Sequence, residues 1–210
     1  MDKIIECIPN FSEGRDKEKL EKILDEIRKQ EGVKLLDYSM DKDHNRSVVT
    51  FVGDPESVIQ AAFNSCKKAT ELIDLRNHKG EHPRMGATDV IPLVPIKNVT
   101  MQECIEYSQK LAKRIGEELN IPVFLYEKSA TSPQREDLSN IRKGEFEGMF
   151  EKLKQEEWKP DFGPQIPHET AGVTAVGARM PLIAFNVNLG TNDIEIAKKV
   201  IESDDEIDTM

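Results

Sequence analysis

The 210-residue chain has few cysteines, few aromatic residues and no long apolar run. Its three cysteines are far apart and none belongs to a CxxC motif. We therefore expect a reducing, cytoplasmic location and no disulfide framework. Apolar runs all fall short of the roughly 20 residues that cross a membrane. No apolar stretch follows a basic start at the N-terminus, so we expect neither a secretory signal nor a membrane partner.

Positive charge is also scarce, with 29 Lys and Arg residues against 39 Asp and Glu residues and a formal net charge of -10. Nucleic-acid binding needs clustered positive charge, which argues against an RNA-binding module and any other nucleic-acid partner. An anionic substrate must instead be held by local cations, because the overall field of the protein repels it.

The order of predicted elements indicates an α+β fold. Leu20, Ile23, Leu24 and Ile27 recur at helical spacing and predict a helix over Asp16–Gln30. Two further helices are predicted after Asp54-Pro55 and Thr100, and four strands over residues 4–8, 33–39, 47–53 and 90–96. The order strand, helix, strand, strand, helix, strand predicts a ferredoxin-like split-βαβ unit, with an antiparallel sheet and helices on one face.

The rest of the chain is predicted in less detail. Pro92 and Pro95 favour an edge position for the fourth strand, because proline cannot donate to a ladder. We expect later strands over residues 123–126, 173–176 and 182–189, a partly helical stretch over 134–157 and a helix over 193–201. Residues 202–210 form an acidic end, predicted to be frayed.

The most unusual segment runs from Asn77 to Asp89 and combines two histidines, two cations and two glycines. Histidine is the usual general acid or base near neutral pH, and Lys79 and Arg84 could hold a carboxylate. A plain solvated loop remains an alternative. A metal site at His78 and His82 is another, but Gly80 disfavours a regular helix there and no cysteine is near, so we expect no metal.

Three other polar segments each allow a structural or a functional interpretation. Residues 9–15 could receive an anion at a helix start or form a simple turn. His44-Asn45-Arg46 could reach a substrate or satisfy the backbone of a hairpin. The Pro- and Gly-rich stretch 162–172 is a linker or a functional loop.

Several motifs together resemble one known family. They are Glu6-Cys7-Ile8-Pro9-Asn10-Phe11-Ser12-Glu13-Gly14, Asn45-Arg46-Ser47, Gly80-Glu81-His82-Pro83-Arg84-Met85-Gly86-Ala87, Trp158-Lys159-Pro160-Asp161-Phe162-Gly163-Pro164, Gly177-Ala178-Arg179 and Ala184-Phe185-Asn186-Val187-Asn188-Leu189. In this order and spacing they resemble the formiminotransferase family. That family includes free-standing glutamate formimidoyltransferases and the transferase part of bifunctional transferase–cyclodeaminases. The resemblance covers about residues 3–199.

The resemblance implies an enzyme and its site. The reaction would transfer a formimino group from N-formimino-L-glutamate to tetrahydrofolate, a co-substrate, in histidine degradation. The catalytic histidine of the family falls on His82. Its folate-binding segment falls on Gly163, Pro164, Gln165, Ile166, Pro167, His168, Glu169, Thr170, Ala171 and Gly172.

Other roles in the implied site rest on charge and position. Arg84, Arg46 and Lys79 are candidates to bind the carboxylates of the substrate. Asp37, Asp41 and Asp89 are candidates to orient His82.

The resemblance also implies a domain division. We expect an N-terminal formiminotransferase subdomain over residues 1–180 and, over 181–210, the start of a second, similar subdomain that is truncated. The alternative function is a non-catalytic, ferredoxin-like binding or scaffold protein that kept the fold without the reaction. The expected partners are small molecules, formimino-glutamate and folate, and a homo-oligomer remains open.

Overall fold

The computed structural model describes residues 2–182, 190–191 and 193–205. In these ranges the chain forms seven strands and six α-helices. The strands are β1 (Ile4–Cys7), β2 (Asn10–Phe11), β3 (Val33–Asp41), β4 (Arg46–Gly53), β5 (Thr88–Lys97), β6 (Val123–Glu127) and β7 (Thr174–Ala178). The helices are α1 (Lys17–Arg28), α2 (Pro55–Leu72), α3 (Met101–Glu118), α4 (Leu138–Arg142), α5 (Glu145–Lys152) and α6 (Ile194–Asp205). Apart from Leu182, the strand expected over 182–189 lies outside the described residues.

The three long helices begin where their capping residues predict. Asp16 accepts a hydrogen bond from the Lys19 backbone, and Asp54 accepts one from the Ser57 backbone. Thr100 and Glu103 form both halves of a capping box. The apolar stripe of α1 is fully buried, so the amphipathic pattern of the sequence correctly identified its inward face.

The first part of the sheet has the expected split-βαβ arrangement. β1 and its continuation β2 lie between β4 and β5, and β3 pairs with the far side of β4. All of these pairs are antiparallel. The α+β class and the ferredoxin-like unit are therefore confirmed.

The second part of the sheet departs from the expected antiparallel pattern. β7 lies between β5 and β6 and is parallel to both, so the whole sheet is mixed. The reason is that α3 returns the chain across the sheet, and such a crossover makes the next strand parallel to the last.

The proline-containing strand is interior, and the expectation that it lies at an edge is wrong. β5 pairs with β1 on one side and β7 on the other. Pro95 lies opposite Ile5 at a register shift in the ladder, which is a position that tolerates a missing N–H. The carbonyl of Pro92 accepts a hydrogen bond from the Ile8 backbone.

The core has two parts, one on each face of the sheet. α1, α2 and α3 cover one face. Ile141 of α4 and Met149 of α5 pack with Phe124 and other residues that point to the opposite face. Helices therefore cover both faces of the sheet around β6 and β7, whereas helices on one face only were expected. The strands there are buried at consecutive positions, so both of their faces need apolar partners. In the described part of the chain, every helix is too short or too polar to cross a membrane.

Candidate functional site

The loop over residues 78–87, here called the His82 loop, is held against the rest of the fold by backbone contacts. The Glu81 N–H donates to the Asp43 carbonyl at 3.0 Å, and the Ala87 N–H donates to the Ala171 carbonyl at 2.9 Å. Gly80 packs so closely on the 41–46 turn that an added Cβ would lie 2.3 Å from the His44 carbonyl oxygen. His82 is buried as a result, with only 4% of its side chain exposed.

His82 belongs to a hydrogen-bonded chain of three charged or titratable side chains, of which His82 and Asp89 are buried. Its Nε2 lies 3.3 Å from Oδ2 of the fully buried Asp89, and Arg142 Nε donates to the same oxygen at 2.9 Å. The other oxygen, Oδ1, accepts from the Met85 N–H at 2.8 Å. Burial alone would raise the pKa of Asp89, but the hydrogen bond from His82 and the charge of Arg142 outweigh it and lower that pKa. Asp89 is therefore ionised at neutral pH.

One of the three candidate carboxylates contacts His82. Asp89 does so, whereas Asp41 lies 2.9 Å from Nδ1 of the exposed His44 and Asp37 is exposed on β3. Sequence reasoning did not find Arg142, which comes from a helix 53 residues after Asp89.

Arg84 is already paired inside the protein. Its Nη1 donates to Glu145 at 2.6 Å and its Nη2 donates to Glu147 at 2.7 Å. The side chain is 8% exposed. These donors tie the His82 loop to α5, while Nε of Arg84 is buried without a partner among the described residues. The expected role of Arg84 in substrate binding stays a prediction. Lys79 is exposed, and its backbone carbonyl accepts a hydrogen bond from Asn45.

His78 faces a different part of the fold from His82. Its Nε2 lies 2.8 Å from the Asn45 carbonyl, which fixes Nε2 as the protonated nitrogen. Nδ1 is buried without a hydrogen-bond partner among the described residues. Burial lowers the pKa of His78. In the described ranges the two histidines have separate partners, and no group of three His, Cys, Asp or Glu side chains is placed to hold a metal ion.

The buried His78 predicts a pH dependence of stability. Its folded pKa lies below the unfolded value of about 6.5, so the unfolded chain binds more protons in that window. The free energy of unfolding should therefore fall as pH drops below about 6.5, by at most about 1.4 kcal/mol per pH unit from this group. Urea unfolding at pH 7.5 and 5.5 measures the change. His78→Gln should reduce the change and His44→Gln, at an exposed site, should not; equal changes for parent and His78→Gln would contradict the assignment.

A cleft of about 800 Å³ opens beside Arg142 on the sheet face opposite α1, α2 and α3. Arg46, Arg142 and Arg179 line it, together with apolar surface from Val90 and Tyr126. Nε of Arg46 is buried without a partner in the described part of the chain, and its Nη1 reaches Asn10 at 3.4 Å. Three acidic side chains, those of Glu127, Glu136 and Asp137, line the same cleft, so its charge is mixed. Its guanidinium groups are suited to bind a carboxylate ligand through local, paired hydrogen bonds.

The segment 163–172 joins the His82 loop at one end only. The N–H of Val173, the residue after it, donates to the Met85 carbonyl at 3.0 Å. Gly172 has a φ of +67°, and an added Cβ would lie 2.2 Å from the same carbonyl oxygen. His168 Nδ1 accepts from the Ala171 N–H at 3.1 Å, which closes the turn. Ile166 is 70% exposed, so the middle of the segment faces solvent.

Comparisons with known proteins give a consistent result. Residues 4–179 match the family described as the formiminotransferase domain, N-terminal subdomain. The chain is 59% identical over 200 residues to a glutamate formimidoyltransferase of Streptococcus pyogenes, covering 95% of this chain and 67% of the relative. It is 50% identical over 199 residues to a glutamate formimidoyltransferase of Thermoplasma acidophilum, covering 94% and 65%.

A larger relative also matches. The chain is 52% identical over 194 residues to a formimidoyltransferase-cyclodeaminase of Dictyostelium discoideum, covering 92% of this chain and 36% of the relative. The chain thus spans 67% and 65% of the two formimidoyltransferases and 36% of this longer relative. On the family match and these identities, the chain belongs to the formiminotransferase family, a family of transferase enzymes.

Proposed function

We propose that the chain serves the transfer of a formimino group from N-formimino-L-glutamate to tetrahydrofolate, as a step of histidine degradation. The products would be 5-formiminotetrahydrofolate and glutamate. The observation that carries this proposal is the hydrogen-bonded chain of His82, Asp89 and Arg142, the last of which lines the cleft. The relatives named glutamate formimidoyltransferase support formimino transfer as the reaction type.

His82 can move both protons that the reaction needs. The amine of tetrahydrofolate attacks the formimino carbon and forms a tetrahedral intermediate, and the bond from that carbon to the glutamate nitrogen then breaks. His82 Nε2 faces Asp89, so in the neutral ring Nε2 carries the proton and Nδ1 is the base. Nδ1 takes the proton from the attacking nitrogen and returns one to the leaving nitrogen.

The cations of the cleft are suited to the carboxylates of the substrates. Arg46 was expected from the sequence and lines the cleft, and among the described residues its guanidinium makes one long hydrogen bond, from Nη1 to Asn10 at 3.4 Å. Arg179 lines the same cleft and was missed as a binding residue, although it lies within a motif of the family resemblance. We assign Arg46 and Arg179 to carboxylate binding and leave Lys79 as an exposed cation on the His82 loop itself.

The segment 163–172 is proposed as part of the folate site. Its attachment to residues 85–87 brings one end of it to the His82 loop, and the exposed Ile166 offers apolar surface to a planar ring. The division at about residue 180 is part of the same proposal. It is supported by the family match over residues 4–179 and by the end of β7 at Ala178.

A direct assay tests the reaction. The purified chain is incubated with N-formimino-glutamate and tetrahydrofolate, and 5-formiminotetrahydrofolate is measured by mass spectrometry, with parallel reactions that omit each substrate. Product that requires both substrates and the protein is the expected result. A non-catalytic scaffold would instead bind ligand in calorimetric titration and form no product, and that outcome would reject the proposed activity.

A further inference from the structure

One oxygen of Asp89 has two partners. Oδ2 lies 3.3 Å from His82 Nε2 and 2.9 Å from Arg142 Nε, and Arg142 Nη2 also donates to it. The contact with Arg142 is the shorter one and is made with a permanent cation. A charge-assisted contact of this kind draws electron density from the carboxylate, so less of the negative charge of Asp89 acts on His82.

Hydrogen bonds within the turn between α4 and α5 hold the backbone at Arg142 in place. Arg142 ends α4, and the turn that follows it leads directly into α5. Lys152 Nζ donates to the carbonyl oxygens of Asn140, Ile141 and Lys143 at 2.6, 2.7 and 3.2 Å, which closes this corner. Arg84 ties the start of α5 to the His82 loop through Glu145 and Glu147. The turn between α4 and α5 is therefore held against the His82 loop.

We propose that Arg142 is a positioning residue that limits how strongly Asp89 draws a proton onto His82. In the described part of the chain Arg142 makes no hydrogen bond to the imidazole, and its action passes through Asp89. The side chain is 19% exposed and lines the cleft, so it is the member of the three that lies nearest to solvent. The consequence of Arg142 for catalysis rests on the proposed function of His82. The effect of Arg142 on the titration of His82 can be measured whether or not His82 is catalytic.

Other charged groups lie near His82, Asp89 and Arg142, and the experiment must distinguish their effects on His82 from that of Arg142. Those that line the same cleft are Arg46, Tyr126, Glu127, Glu136, Asp137 and Arg179. Arg84 of the His82 loop forms ion pairs with Glu145 and Glu147 of α5. Arg179 is the matched control, because it adds the same charge to the cleft and has its hydrogen bond to the Met180 carbonyl, not to Asp89.

Nuclear magnetic resonance can follow each imidazole directly. The chain has four histidines, and the signal that disappears in His82→Gln identifies His82. In Arg142→Gln the midpoint of the His82 titration should rise by about one pH unit, since an unbalanced carboxylate typically shifts a neighbour by 1–3 units. Arg142→Lys restores the charge and should recover about half of the rise or more. Arg179→Gln should leave the midpoint where it is.

A double variant tests whether Arg142 acts on His82 through Asp89 or directly through its own charge. In an Asp89→Asn background, the rise caused by Arg142→Gln should disappear. The proposal is overturned if Arg142→Gln leaves the midpoint unchanged, if Arg179→Gln raises it equally, or if the rise persists without the Asp89 charge. Should Arg142→Gln fail to fold, Asp89→Asn must lower the midpoint, and a rise in that variant would refute the proposal. None of these results depends on whether the chain transfers a formimino group.

Discussion

Replacing His82 by alanine is expected to lower the single-turnover rate of formimino transfer by a factor of about 10² to 10⁴, the usual loss for one general acid or base. The side chain is buried beside Asp89, and no other histidine among the described residues contacts that carboxylate. Alanine removes the only group in this position that can move a proton near neutral pH. The rate is measured with enzyme in excess over formimino-glutamate, so that product release does not mask the chemical step.

The controls for this prediction come from the same chain. Circular dichroism and urea unfolding of His82→Ala report whether the fold is kept. His44→Ala removes an exposed histidine that also lies beside an aspartate, and it should change the rate by less than a factor of about 3, as expected for a surface site outside the cleft. A transfer rate in His82→Ala close to that of the parent would reject His82 as the proton-transfer residue.

Local sequence patterns were sufficient for the elements of the first half of the fold. The stripe of α1, the capping residues and the alternating β4 each involve contacts within a few residues, so spacing alone predicts them. The insertion of β7 between β5 and β6 could not be predicted in this way. It depends on pairing Val90 with Ala175, and nothing in either strand specifies the other.

The candidate site shows the same limit. His82 and Asp89 belong to one motif, and both were identified from the sequence. Arg84 belongs to that motif too, but its partners Glu145 and Glu147 are 61 and 63 residues away, so its local setting suggested a free cation where the fold has an ion-paired one. Arg142 lies in a charged helical stretch with no motif, and only the tertiary fold brings it to Asp89.

Asp89→Asn is the second change with a large expected effect, because it acts on both the fold and the site. Asparagine keeps an oxygen that can accept the Met85 N–H, so the local backbone contact can survive. It removes the charge that balances Arg142, and breaking a buried pair in this way costs about 3–5 kcal/mol. Arg142 is 19% exposed and can turn partly to solvent, which places the expected loss in the free energy of unfolding at the lower end, about 3 kcal/mol.

The catalytic consequence follows from the tautomer of His82. In the proposed mechanism Asp89 accepts from Nε2 and so leaves Nδ1 as the base, whereas an amide can donate to Nε2 and favour the opposite tautomer. The transfer rate should then fall by about 10² or more, within the range for loss of acid–base function. Rates are compared at a temperature where urea titration shows that the variant is folded, and Asp41→Asn, at the exposed partner of His44, is the matched control. A folded Asp89→Asn protein that transfers the formimino group at the parental rate would show that this carboxylate does not hold His82 in its working form.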